Sequence, residues 1–322
     1  MPDNAARSAT HAASGTSEWA TRTERGSFWL MRLMSWLSIR LGRRATRIIL
    51  YGAAGYFFLF APTVRRHARD YLRRALGRSP TALDRFRHLL VFASTIHDRV
   101  LFLHGRFADF HVSIQGEDLL RATFARGQGA LLMGAHFGSF EVLRATGHQQ
   151  PGLEVAMAMY ADNARKINAV LAAVNPLFVP GIIELGHVSA MLDIRARLER
   201  GAFVGMLADR SPGDEPTEQV PFLGAPAAFP VGPMRAAAML RRPVYFIAGV
   251  YLGGNRYQVI FEQIADFATA ATGERDAAIS AGIRRYAAAL ERGCRSHPYN
   301  WFNFFDFWKP PAAAKHFPTG RR

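Results

Sequence analysis

The stretch AHFGSFE, from Ala135 to Glu141, places a histidine and a glutamate five residues apart, directly after the apolar run GALLMG. Imidazole titrates near neutrality, so a histidine held by a carboxylate makes a good general base. The carboxylate on one ring nitrogen fixes the tautomer and leaves the other nitrogen to accept a proton. Side chains five apart on one continuous helix point about 140° away from each other. His136 and Glu141 therefore meet only if the chain turns between them. Gly138 permits that turn. Ser139 suits an N-cap, which places Glu141 in the first helical turn, where the macrodipole favours its charge. From there it can reach back to His136. The same residues also fit purely structural roles, as a strand-end histidine and a capping glutamate. Ser139 as a nucleophile is the weaker alternative, because the cap already accounts for it.

The elements around this stretch alternate. FHVSI, GALLMG, LEVAMAMY, GIIEL and AFVGMLAD have the composition of strands. GEDLLRATFARG, FEVLRATGHQ, ARKINAVLAAV, VSAMLDIRARLERG and GPMRAAAMLRR have helical periodicity between and after them. PVYFIAGVYL and RYQVIFEQI form two strands joined by Gly253, Gly254 and Asn255, a hairpin signature. A last helix covers ERDAAISAGIRRYAAALERGCRSH. This alternation predicts an α/β fold with a mixed, mostly parallel sheet covered by helices on both faces. In such sheets ligands gather at the carboxyl ends of strands, where His136 falls.

The N-terminal quarter is different. Residues 1–27 are small and polar and predict a disordered tail without the pattern of a secretory signal. Residues 28–80 join a Trp/Met/Leu-rich piece, a group of arginines and the uncharged run IILYGAAGYFFLFA. That run would span roughly 21 Å as a helix, against a hydrocarbon core of roughly 30 Å. A helix lying in the membrane interface, or partly re-entrant, suits it, with Trp29, Trp36, Tyr51 and Tyr56 at headgroup depth. A buried helix of a soluble core is the alternative. Arg65, Arg66, Arg69, Arg73, Arg74 and Arg78 follow, with few acids among them, and favour the membrane reading. The α/β domain is expected over residues 81–310 and a basic tail over 311–322. The whole chain of 322 residues carries a formal charge of +15, which calls for acidic partners. Its single cysteine, Cys294, excludes an intramolecular disulfide and Cys–Cys zinc motifs.

GAHFGSFEVLRATG resembles the H-x4-D/E block of the late acyltransferases of bacterial lipid A biosynthesis, the lauroyl and myristoyl transferase family. The resemblance runs from about Phe28 to Trp308 and includes ADR followed by QVPFLGAPAAFPVGPMRAAAMLRRPV. It implies a membrane-associated O-acyltransferase on the cytoplasmic side of the inner membrane. The donor would be acyl carrier protein, which is acidic, or acyl-CoA, and the acceptor a hydroxyl of a lipid or glycolipid. His136 would be the base and Glu141 its orienter, with no cofactor or metal beyond the acyl thioester itself. Asp209 and Arg210 end the strand AFVGMLADR on the same sheet edge and are candidate substrate-binding residues. Arg210 would hold a phosphate or the oxyanion, or else make a surface salt bridge. Arg165 follows another strand and would bind an anionic headgroup or phosphopantetheine. Phe137, Phe222, Leu223 and Gly224 would wall an acyl pocket, or VPFLGAPAAFPVG is only a packed loop.

Two departures from the family pattern concern anion handling. Glu184 stands in a segment where many members carry an arginine, and NWFNFFDFW has Asp306 where a basic pair is common. Both point away from lipid A itself as the acceptor. The charge would also suit a nucleic-acid binder, but zinc patterns and aromatic RNA-binding signatures are missing. A catalytically inactive scaffold binding carrier protein or lipid is the other alternative. No G-x-S-x-G elbow supports a serine hydrolase.

Overall fold

The computed structural model describes residues 27–143, 152–160, 181–210, 215–269 and 272–308. Helix α1 (Ser27–Phe60) is broken at Gly42, whose φ of 75° and ψ of 167° lie outside helical space. Helix α2 (Pro62–Leu76) starts on a proline and stops at Gly77 in the left-handed conformation. Helix α3 (Ala82–Leu103) opens with a capping box between Thr81 and Asp84. Then come β1 (His111–Gln115), α4 (Glu117–Ala125), β2 (Ala130–Gly134), β3 (Val155–Tyr160), β4 (Ile182–Leu185), α5 (Val188–Glu199) and β5 (Phe203–Leu207). The rest is β6 (Thr217–Phe222), β7 (Ala225–Pro230), α6 (Gly232–Leu240), β8 (Pro243–Gly253), β9 (Arg256–Asp266) and α7 (Arg275–Ser296). The expected helix ARKINAVLAAV, most of FEVLRATGHQ and both terminal tails lie outside the described residues.

Seven strands form one sheet in the order β1-β9-β8-β2-β5-β3-β4. β8, β2, β5, β3 and β4 run parallel, while β9 pairs antiparallel with β8 and carries β1 beside it. The sheet is thus mixed and mostly parallel, as the alternating sequence implies. Alternate residues feed opposite layers. On β2, Leu131 and Met133 join a core made with α2, α5, α6, α7 and the β6–β7 hairpin. Ala130 and Leu132 join a second core made with α3 and α4. Burial on both faces explains why β2 is apolar at every position.

The segment VPFLGAPAAFP, read from sequence as a pocket wall or a packed loop, is an antiparallel hairpin. Its two-residue turn has Leu223 at φ 49° and Gly224 at φ 80°, as a tight turn of left-handed residues requires.

At the N-terminus, the Ala45–Phe60 part of α1 meets α2 at a bend of 96°, and no single helix among the described residues is long and apolar enough to cross a membrane. Leu50 and Ala54 are buried, but Ile48, Tyr56, Phe57, Leu59 and Phe60 are exposed. Arg43, just past the break in α1, fixes this unit to the rest. Its Nε and Nη2 each donate to Asp98 of α3 at 2.7 Å. Tyr257 of β9 donates to the same carboxylate at 2.9 Å.

Candidate active site

β2 and β5 are neighbours in register, with Gly134 opposite Leu207. The chain leaves both at the same edge, so His136 and Asp209 stand side by side. His136 Nδ1 is 2.9 Å from Asp209 Oδ1, and the His136 backbone N–H donates to Asp209 Oδ2 at 3.1 Å. Asp209 is fully buried, whereas the His136 side chain is partly open to solvent. Burial opposes the charge on Asp209, but the neighbouring His136 and Arg210 outweigh it and hold the carboxyl well below the usual range. Asp209 is therefore an acceptor. Nδ1 must carry the proton that is donated to it, which turns Nε2 away from the carboxylate.

The sequence assigns this part to Glu141, which the structure places against other partners. Ser139 Oγ donates to Glu141 Oε2 at 3.1 Å, and Arg99 Nε of α3 lies 2.6 Å from Oε1. The turn at Gly138 forms as expected, with φ of 72°. It carries Glu141 to the α3 flank, where Arg99 neutralises it, while β5 delivers a carboxylate to the imidazole from the other side. Ser139 is buried and its hydroxyl is committed to Glu141.

Arg210 does reach the site. Its Nη2 donates to the Phe302 carbonyl at 2.8 Å, its Nε is 3.9 Å from Asp209 Oδ2, and its guanidinium stacks 4.7 Å from the Phe305 ring centre. Burial pulls this guanidinium's pKa down, against the opposing pull of Asp209. Its Nε–H has no hydrogen-bond partner among the described residues. Arg165 lies outside the described residues.

Phe137, Phe222 and Leu223 are buried in the core rather than lining a cavity. Phe222 packs edge-on against Trp301 and Phe307, with ring centres 5.3 and 5.7 Å away. Gly224 faces open space at the hairpin turn. Met133, Ala208, Phe229, Met234 and Tyr286 line in part a gap with room for about one water-sized molecule, too small for an acyl chain. No group of three His, Cys, Asp or Glu among the described residues could hold a metal ion.

Sequence reasoning missed the C-terminal strap, residues 300–302, which closes over the histidine loop. Phe302 N–H donates to the His136 carbonyl at 2.8 Å, and Gly138 N–H donates to the Asn300 carbonyl at 2.8 Å. Asn300 is itself held by the Tyr251 backbone, accepting from its N–H at 2.8 Å and donating to its carbonyl at 3.1 Å. Trp301 Nε1–H donates to Asp209 Oδ2 at 3.1 Å. The density of aromatic residues in NWFNFFDFW was the available signal, but a core is its commoner meaning.

A family model described as bacterial lipid A biosynthesis acyltransferase matches residues 16–310. No curated protein matches the chain. Because that match spans the N-terminal helices, the sheet and the strap alike, the chain belongs to the bacterial lipid A biosynthesis acyltransferase family, and its chemistry is acyl transfer.

Proposed function

We propose that this protein moves an acyl chain from a thioester of acyl carrier protein or coenzyme A to a hydroxyl of a lipid or glycolipid acceptor. The observation that carries this reading is the contact between His136 Nδ1 and the buried Asp209 carboxylate. Nε2 takes the proton of the acceptor hydroxyl, and the oxygen attacks the thioester carbonyl. A C–O bond forms and the carbonyl oxygen gains charge. Collapse of this intermediate breaks the C–S bond, and the proton on Nε2 passes to the departing thiolate. Asp209 stabilises the imidazolium that exists between those two transfers. The partly exposed Arg210 guanidinium beside the dyad suits an oxyanion or a phosphate. No acyl-enzyme is required, and the buried, committed Ser139 hydroxyl offers none.

Members of the family are typically membrane-associated. The exposed apolar residues of α1 and the exposed Arg66, Arg69 and Arg73 of α2 suit an anionic leaflet on the cytoplasmic side. The net positive charge also suits an acidic carrier protein and, with the site described, makes nucleic acid the poorer partner. Glu184 and Asp306, both exposed, favour an acceptor less anionic than lipid A.

The test incubates the protein with a panel of acyl carrier protein thioesters and membrane lipid extract, and reads acylated lipid by mass spectrometry. A new acyl ester is expected, lost in His136→Ala and reduced at least about a hundredfold in Asp209→Asn. Full transfer by His136→Ala rejects the mechanism. Absence of product from every thioester favours the inactive-scaffold reading.

A further inference from the structure

Asp209 holds the imidazole, but something must hold Asp209. A buried carboxylate accepting from one side alone can swing about its Cβ–Cγ bond, and the geometry of the base swings with it. Asp209 Oδ2 receives the His136 backbone N–H and the Trp301 indole N–H, both at 3.1 Å. The indole cannot move. Trp301 is fully buried, and its ring is clamped edge-on by Tyr71, Phe222 and Phe307 with centroids 5.0, 5.3 and 4.8 Å away. Its backbone is clamped as well. Trp301 bridges Phe137, and its carbonyl accepts from His88 Nε2 at 2.8 Å. The segment on either side of Trp301 bonds to the backbone of His136 and Gly138. The strap thus grips the loop carrying the base and the carboxylate that orients it.

We propose that Trp301 is a positioning residue for acyl transfer: its indole N–H fixes the Asp209 carboxylate and sets the basicity of His136. This rests on the reading of His136 and Asp209 as base and orienter. An N–H donated to a carboxylate disperses its charge. Without it, Asp209 attracts the imidazolium more strongly and the proton affinity of His136 rises. The other groups near Asp209 are few. Arg210 lies 3.9 Å from Oδ2, and Tyr286 and Cys294 of α7 sense its charge. Glu141 and Arg99 are engaged with each other, and His88 of α3 bonds to the Trp301 carbonyl and packs on the rings of Tyr71 and Phe302.

The test replaces Trp301 alone with 3-benzothienylalanine, which keeps the bicyclic shape and puts sulfur in place of the N–H. Trp301→Phe is the second variant. Full-length protein in detergent micelles is labelled with ¹⁵N histidine, and the His136 signals are identified by their loss in His136→Gln. The His136 titration midpoint is expected to rise by about half to one pH unit. The acid limb of turnover should move with it, read as thiol release from dodecanoyl carrier protein with membrane lipid extract. KM for the thioester should change less than twofold. Lower thermal stability with an unmoved midpoint assigns Trp301 to packing alone and overturns the proposal. Asp209→Asn separates the two claims. If it leaves the His136 tautomer unchanged, the underlying assignment fails. If it changes the tautomer while the benzothienyl variant has the native midpoint, only the role of Trp301 fails.

Discussion

At the scale of single residues, the site depends on backbones that approach too closely for side chains. A Cβ at Gly138 would sit 2.0 Å from the Gly249 carbonyl oxygen, and the positive φ there disfavours any L side chain. Gly138→Ala should cost about 3 kcal/mol in urea unfolding and displace the strap that Gly138 N–H anchors. Turnover should fall in parallel, and unchanged unfolding would contradict the close approach. The role of Gly138 as a turn was legible, because its neighbours needed one. The identity of His136's partner was not. Glu141 is near in sequence and Asp209 is far, and only the adjacency of β2 and β5 reverses that order in space. A one-dimensional spacing argument cannot see which strands are neighbours. Arg99, which draws Glu141 away, sits on α3, some forty residues earlier in the chain.

At the scale of elements, the strands and helices were readable because their hydrophobic periods are strong and their turns are marked by glycine. The β6–β7 hairpin was not, since three prolines interrupt its pattern and Leu223 occupies a turn position that usually takes Asn or Gly. The N-terminal helices combine an outward apolar face on α1 with exposed arginines on α2, and their rigid attachment through Arg43 and Asp98 keeps that surface in fixed relation to the sheet. Replacing Arg66, Arg69 and Arg73 together with glutamine should weaken binding to phosphatidylserine-containing vesicles by about a hundredfold, at about 1 kcal/mol per arginine. Raising salt should weaken the native protein and leave the triple variant almost unchanged. Sedimentation with vesicles measures both, and equal binding by the variant would place the contact elsewhere.

At the scale of the whole molecule, acid should act through a histidine that the chemistry does not use. His88 is fully buried among Tyr71, Phe302 and Phe304, and burial pushes its pKa down to about 4 from an ordinary 6.5. Between those values the unfolded chain binds a proton that the folded protein refuses, so stability rises with pH there. Lowering the pH from 7 to 5 should therefore cost about 2 kcal/mol from this group. Urea midpoints across that range, in the native protein and in His88→Gln, check it. The variant should lose most of the slope.

The strap also dictates an order of events during synthesis. Asn300, Trp301 and Phe302 leave the ribosome long after α1 and α2, yet they complete the pairing around His136 and Asp209. A nascent chain thus presents the exposed apolar residues of α1 before the contacts around His136 and Asp209 are complete. The hydrogen bonds to His136, Gly138 and Asp209 form only once residues 300–302 have been made, so this loop is the last part of the site to be tied down.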